Sequence, residues 1–288
     1  MTPPPHSNLA AQTWLPPNAP AGLSIRYATH THPGRVRRIN EDSSLAQPPV
    51  FLVADGMGGH QHGDVASALV VETFGQLAGM SAVSVGDIEA CVESCQRRVS
   101  ALADDSGAAP GSTLVAVVFV VHDGSAYWLL ANVGDSRAYQ WLDGQLEQLS
   151  HDHSVVQELI DAGELTAEEI ANHPERHVVT RALGAISDVE ADYSLIPVKP
   201  NSTLLLCSDG ISTELDDAAI GATLQQGAAQ ATEHLAQELV EAALRAGGRD
   251  NATALVIEVL GGQALEDTAG AMPRINDDDT VPGLRRRA

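Results

Sequence analysis

The sequence predicts an α+β fold in which antiparallel strands are covered by amphipathic helices, and three observations lead there. Short apolar runs recur along the chain, those in its middle are joined by Asp-Gly turns, and three longer segments carry apolar residues at helical spacing. The strand-like runs are 23–29, 50–54, 113–121, 126–133, 137–142, 203–207 and 252–260. His122-Asp123-Gly124-Ser125 and Leu142-Asp143-Gly144-Gln145 supply residues that tolerate the left-handed backbone of a tight hairpin, so the middle of the chain reads as an antiparallel meander. Helices are expected over 64–78, 87–103 and 232–246, whose apolar faces must cover a sheet. Thr166 followed by Glu169 has capping-box spacing and opens a further short helix in the polar 155–177 region, which reads as an insertion beside the sheets.

At 288 residues with 44% hydrophobic content, the chain can bury one large core. Residues 1–21 hold six prolines and little periodicity, which suits an extended, solvated leader; folded sequence should begin near Leu23. Gly261-Gly262 closes the last apolar run, and 262–288 mixes Asp277-Asp278-Asp279 with Arg285-Arg286-Arg287 without a core pattern, so a flexible tail is expected. One folded domain, 22–261, lies between, and a monomer is expected.

Composition excludes several classes. Sixteen Lys and Arg against 38 Asp and Glu give a net charge of −22, which argues against nucleic acid and against an anionic membrane surface. Lys199 is the single lysine, so there is no phosphate-binding loop of the G-x-x-x-x-G-K type. Cys91, Cys95 and Cys207 form no paired framework and read as buried reduced thiols. With neither a signal peptide nor an apolar run approaching the ~20 residues that span a bilayer, a reducing, cytoplasmic location is expected.

The candidate chemistry lies where apolar runs stop. Asp55-Gly56 follows Phe51-Leu52-Val53-Ala54, Asp209-Gly210 follows Leu204-Leu205-Leu206-Cys207-Ser208, and Asp250 precedes the run that starts at Ala252. A carboxylate at a strand end is held rigidly at a sheet edge, and an adjacent glycine lets a backbone carbonyl approach a cation. Such hard oxygen donors, with no His/Cys cluster, suit Mg²⁺ or Mn²⁺ rather than zinc. One Asp-Gly is merely a turn; three acidic strand ends are more than that. Upstream, Arg37-Arg38-Ile39-Asn40-Glu41-Asp42 reads alone as a solvated charged loop. Beside a metal site, it would supply a guanidinium fork for phosphate oxygens and carboxylates that orient water.

These blocks, with Val53-Ala54-Asp55-Gly56-Met57-Gly58-Gly59-His60, Gly111-Ser112-Thr113, Asn132-Val133-Gly134-Asp135-Ser136-Arg137, Asp152-His153-Ser154, Thr180-Arg181-Ala182-Leu183-Gly184 and Gly248-Arg249-Asp250-Asn251-Ala252-Thr253, follow in an order that resembles the PPM, or PP2C-like, family of metal-dependent protein serine/threonine phosphatases, particularly its bacterial members. The resemblance runs from about Ser24 to Leu260. It implies a sandwich of two antiparallel sheets flanked by helices, with a flap at about 155–180 and two Mn²⁺ or Mg²⁺ ions in a cleft at one end. It also implies that Asp55 bridges both ions, the Gly56 carbonyl completes one site, Asp209 and Asp250 complete the other, Glu41 and Asp42 act through metal-bound water, and Arg37 binds the phosphoryl group. Phosphoserine and phosphothreonine would be hydrolysed by a metal-bridging hydroxide without a phosphoenzyme, because two cations lower the pKa of the water between them.

In animal relatives a histidine, proposed as general acid, follows the Asp-Gly pair; here Met57 does, and His60 reads as a surface or loop-orienting residue. Asp135 reads either as a turn residue bonding backbone amides or, as the resemblance implies, as a ligand or near-ligand of a third, weaker ion beside the flap, and Asp152, His153 and Arg181 would support the flap segment 155–180. Thr213 stands where many relatives place a second aspartate for that ion, so third-ion binding should be weak, with Glu214 the only adjacent carboxylate. The resemblance further implies an opposing Hanks-type Ser/Thr kinase. The 210–215 stretch is similar to phosphatases associated with type VI secretion. Thr268 and Thr280, each after acidic residues, could once phosphorylated dock a phosphothreonine reader, against the plainer reading of a solubilising tail. A catalytically dead phosphopeptide-binding scaffold should have lost its metal carboxylates, which are present. A two-carboxylate glycosidase leaves the Asp-Gly pairs and Arg37 unexplained.

Overall fold

The computed structural model describes residues 8–17, 19, 21–58, 62–103, 110–122, 124–166, 169, 173–185, 189–227 and 231–261. One antiparallel sheet has the order β1-β2-β12-β11-β8-β9, formed by Leu9–Trp14, Ser24–His32, Ala252–Leu260, Thr203–Cys207, Arg137–Leu142 and Gln145–Gln148. The other has the order β10-β7-β6-β4-β3, formed by Asp192–Pro197, Ser125–Val133, Leu114–His122, Val50–Met57 and Asp42–Gln47, with the short β5 (Gly111–Ser112) beside β4. The fold is the expected two-sheet sandwich with flanking helices.

Three clusters of buried side chains explain the four layers. Between the sheets, Ile25 and Tyr27 of β2, Phe51 and Val53 of β4, Val115 and Val117 of β6, and Leu204 and Leu206 of β11 interdigitate. The intervening residues face outward: Val50, Leu52 and Ala54 meet α1 (Gly63–Phe74) and α2 (Val85–Ser100). Leu205 and Cys207 meet α5 (Asp217–Gly227) and α6 (Thr232–Ala246). The central strands are therefore apolar on both faces, and a period of two disappears into a continuous run. The chain has few aromatic residues, and five form one edge-to-face series through the sandwich: Tyr27, Phe51, Trp128, Phe119 and Trp14, with ring centroids 5.0, 5.9, 5.5 and 5.4 Å apart.

The expected helix over 64–78 ends at Phe74 and continues as a single 3₁₀ turn, Gly75–Leu77. The helix expected over 87–103 starts at Val85, because Ser84 and Asp87 close a capping box. Of the expected 155–180 flap, the description includes α3 (Val155–Asp161), the Thr166–Glu169 capping contact and a bridge from Ser154 to Val179; most of the helix expected after Thr166 lies outside the described residues. The 262–288 tail also lies outside them, as does His60.

The leader expectation needs correcting. Residues 9–14 form β1, paired antiparallel with β2 from Leu9↔Thr29 to Trp14↔Ile25. Asn8 Oδ1 accepts from Thr31 N at 2.8 Å, Gln12 Oε1 from the Tyr27 hydroxyl at 3.0 Å, and Glu233 Oε2 of α6 from Ala11 N at 2.8 Å. The prolines bracket this strand rather than interrupt it, so its backbone donors remain available. Because Trp14 is only partly buried, Trp14→Ala should cost about 2 kcal/mol, less than a full core truncation. Urea unfolding followed by circular dichroism should show a lower midpoint at unchanged slope. An unmoved midpoint would restore the solvated leader.

Candidate active site

Antiparallel pairing brings distant acidic residues to one end of the sandwich. Asp42 opens β3 opposite Asp55 near the end of β4, and Asp135 lies between β7 and β8. Asp209 follows β11 and opens the short α4 (Asp209–Ser212), while Asp250 precedes β12, the antiparallel neighbour of β11. Arg37, Glu41, Asp55, Gly56, Asp135, Asp209 and Asp250 line one open cavity of about 720 Å³ there. Asp42 does not line it; this carboxylate lies behind the wall, fully buried.

Buried hydrogen bonds hold Asp42, the backbone of Asp55 and the loop before β3. Asp55 exchanges backbone and side-chain bonds with Thr113, whose Oγ1 receives Asp55 N at 2.9 Å while Thr113 N donates to Asp55 O at 2.9 Å. Asp42 Oδ2 accepts from the hydroxyls of Ser208 and Thr253, both at 2.7 Å, which ties β3 to the opposite sheet. Asn251 organises the loop before β3: its Oδ1 accepts from Glu41 N at 2.8 Å, and its Nδ2 donates to the carbonyls of Pro33 and Ile39 at 2.9 Å. The strand-end glycines permit backbone contact. A Cβ at Gly56 would lie 2.0 Å from the Gly63 carbonyl oxygen, and one at Gly210 would lie 1.9 Å from that of Asn251.

Burial and crowding raise the proton affinity of this cluster. Desolvation, and after it the neighbouring carboxylates, pushes Asp42 up to about 7, Asp135 to about 8 and Asp55 well above the usual range. Asp209 is pushed up to about 6 by burial first and Asp250 second. Buried carboxyls crowded in this way resist ionising together unless a proton or cation offsets their charge. Asp209 Oδ1 is buried and makes no hydrogen bond among the described residues. Orphaned oxygen, crowded negative charge and all-oxygen donors fit a hard divalent cation, which Asp55, the Gly56 carbonyl, Asp209 and Asp250 could hold. Among the described residues, no three His, Cys, Asp or Glu side chains close into a cage by themselves; the carboxylates share an open cavity.

Arg37 lies at the mouth with half its side chain exposed, and its Nη2 is 2.7 Å from Asp250 Oδ2. Thr213 lines the wall with Asp135. Glu214 is committed elsewhere, receiving Arg249 Nε and Nη2 at 2.9 Å each. Asp152 grips Arg137 through both carboxylate oxygens, and His153 Nδ1 accepts from Gly134 N at 3.1 Å, so both brace the turn that carries Asp135. Arg181 reaches Asp192 at 3.4 Å. The sequence reading missed Arg176 and His177 on the cavity wall, and Ser208 and Asn251 as anchors. Asn251 had a signal, lying between Asp250 and a buried strand; Arg176 and His177 lie in a polar stretch without one.

The chain is similar to known proteins over most of its length. The model of the protein phosphatase 2C family matches residues 38–246. The serine/threonine protein phosphatase PstP of Mycobacterium tuberculosis is 37% identical over 269 residues, which cover 90% of this chain and 50% of that protein, so the chain spans about half that relative's length. The crystal structure of the PstP catalytic domain in complex with two manganese ions superposes with a TM-score of 0.74 at 34% identity, covering 83% of this chain and all of that one. PppA, a regulatory component of type VI secretion in Pseudomonas aeruginosa, gives a TM-score of 0.73 at 35% identity over 82% of this chain and 98% of its own. With matched family sequence from the Arg38 loop to the end of α6, and the same sandwich in its relatives, the chain belongs to the protein phosphatase 2C family.

Proposed function

We propose that the chain hydrolyses phosphoserine and phosphothreonine in proteins, with two Mn²⁺ or Mg²⁺ ions held by Asp55, the Gly56 carbonyl, Asp209 and Asp250. The observation that carries this reading is the convergence of carboxylates from separate strand ends on one cavity with Arg37 at its mouth. Bound there, two divalent cations activate water at neutral pH and offset the charge of a phosphoryl group. Arg37, now paired with Asp250, would hold phosphoryl oxygens in a bidentate fork, and Asp250 would hold the cations. Glu41 orients water from the cavity wall. Asp42 acts from behind, fixing β3 against Ser208 and Thr253 so that Glu41 and Asp55 keep their places.

A cysteine-based route is disfavoured by the same structure. Cys91, Cys95 and Cys207 are all buried, and burial pushes the Cys95 and Cys207 thiols up to about 12. The proposal sets the reaction in the reducing cytoplasm, opposed to a Ser/Thr kinase that must supply such substrates.

Asp209→Asn and Asp250→Asn should each abolish Mn²⁺-dependent phosphate release from a phosphothreonine peptide while the circular dichroism spectrum stays native; near-wild-type turnover in both would overturn the reading. Arg37→Ala should lower kcat/KM by ~2–4 kcal/mol of transition-state stabilisation, the usual loss for a charged donor. An unchanged value would remove Arg37 from the site. For the third ion, Thr213 offers a neutral hydroxyl and Glu214 is occupied by Arg249, so two ions should bind tightly and a third weakly. Calorimetric titration should show Thr213→Asp tightening a third Mn²⁺. Three equally tight ions in the unmodified protein would contradict this.

A further inference from the structure

The cavity has an anionic floor and a cationic, partly apolar rim. Arg37, Arg176 and Arg249 line it from three separate segments, and Arg35 and Arg38 flank Arg37 on the exposed loop between β2 and β3. In a chain of net charge −22, three of the 16 Lys and Arg line this one opening, and two more stand beside Arg37 in sequence. Arg37 and Arg249 are paired with Asp250 and Glu214; Arg35, Arg38 and Arg176 make no ion pair among the described residues. Val178 also lines the cavity and is 44% exposed, and Val36 and Ile39 on the Arg37 loop are exposed by 67 and 62%.

One phosphoryl group needs the floor and one guanidinium. Arg176, Arg249 and Val178 exceed what hydrolysis requires and line the space beside a bound phosphoryl group, and the exposed Arg35, Val36, Arg38 and Ile39 adjoin Arg37 in the same loop. A strongly acidic protein repels acidic substrates at long range, so a local positive rim is what admits them.

We propose that this rim selects phosphorylated segments whose neighbouring side chains are acidic and apolar, a class to which residues 275–284 of the chain itself belong once Thr280 is phosphorylated. That stretch reads Ile275-Asn276-Asp277-Asp278-Asp279-Thr280-Val281-Pro282-Gly283-Leu284, with three carboxylates before the threonine and a valine after it. The inference rests on the phosphatase reading above and adds its substrate class.

The test is steady-state phosphate release by the full chain in Mn²⁺ from three peptides covering 275–284, each phosphorylated at Thr280. One keeps the three aspartates, one carries asparagine in their place, and one carries lysine. The acidic peptide should exceed the asparagine peptide about tenfold in kcat/KM, chiefly through KM, with the lysine peptide poorest and the spread narrowing at high salt. Arg38→Glu and Arg176→Glu should each cut the preference about fivefold, the change produced by ~1 kcal/mol between exposed charges. Lysine at either position should restore it, and the glutamate variants should gain on the lysine peptide. Equal kcat/KM for all three peptides overturns the inference and leaves the phosphatase reading standing. No release from any peptide or from a small aryl phosphate overturns that reading, and the inference with it.

Discussion

Like-charged carboxylates brought together at one end of the sandwich are the constraint on which the rest of the structure depends. Asp42 faces Asp55 across β3 and β4, Asp209 follows β11, and Asp250 stands at the entry to the neighbouring strand. No protein would assemble this cluster for stability. Burial disfavours each charge, and each charge disfavours the next. The arrangement persists because a scaffold packed on both sheet faces fixes the strand ends, and because Ser208, Thr253, Thr113 and Asn251 bind the carboxylates or their backbones from behind.

The scaffold is suited to that role. Each central strand is buried on both sides, so a shift of register would exchange two apolar faces at once and unseat both a helix layer and the inter-sheet core. The aromatic series from Tyr27 to Trp14 crosses the same core and ties β1 into it. The cavity therefore inherits its geometry from strands rather than from loops. The exceptions are the rim segments 35–40 and 176–179, which are largely exposed and carry Arg37 and Arg176.

What was legible in the sequence follows from the same physics. Strands buried on both faces, such as Val50–Met57, Thr203–Cys207 and Ala252–Leu260, announce themselves as apolar runs, and the acidic residues that break those runs announce the site. Edge and near-edge strands did not stand out. β3 reads Asp-Ser-Ser-Leu-Ala-Gln and β9 Gln-Leu-Glu-Gln, with half their residues turned to polar surroundings, while β1 is hidden among prolines. β10, Asp-Tyr-Ser-Leu-Ile-Pro, is too short and mixed to exceed its background. Within the site, the motif residues were visible but their contacts were not. Nothing local tells that Asn251 holds three backbone groups of the Arg37 loop, that Arg249 engages Glu214, or that Arg176 reaches the cavity.

The central claim is that the carboxylate cluster is built for divalent cations and is poorer without them. The direct measurement is urea unfolding of the full chain in Mn²⁺ and in chelator, at one pH and ionic strength. A ligand that binds only the folded state at 100 times its dissociation constant adds about 2.7 kcal/mol per site, so Mn²⁺ should move the midpoint upward by a corresponding amount at unchanged slope. Coincident unfolding curves with and without Mn²⁺ would contradict the account.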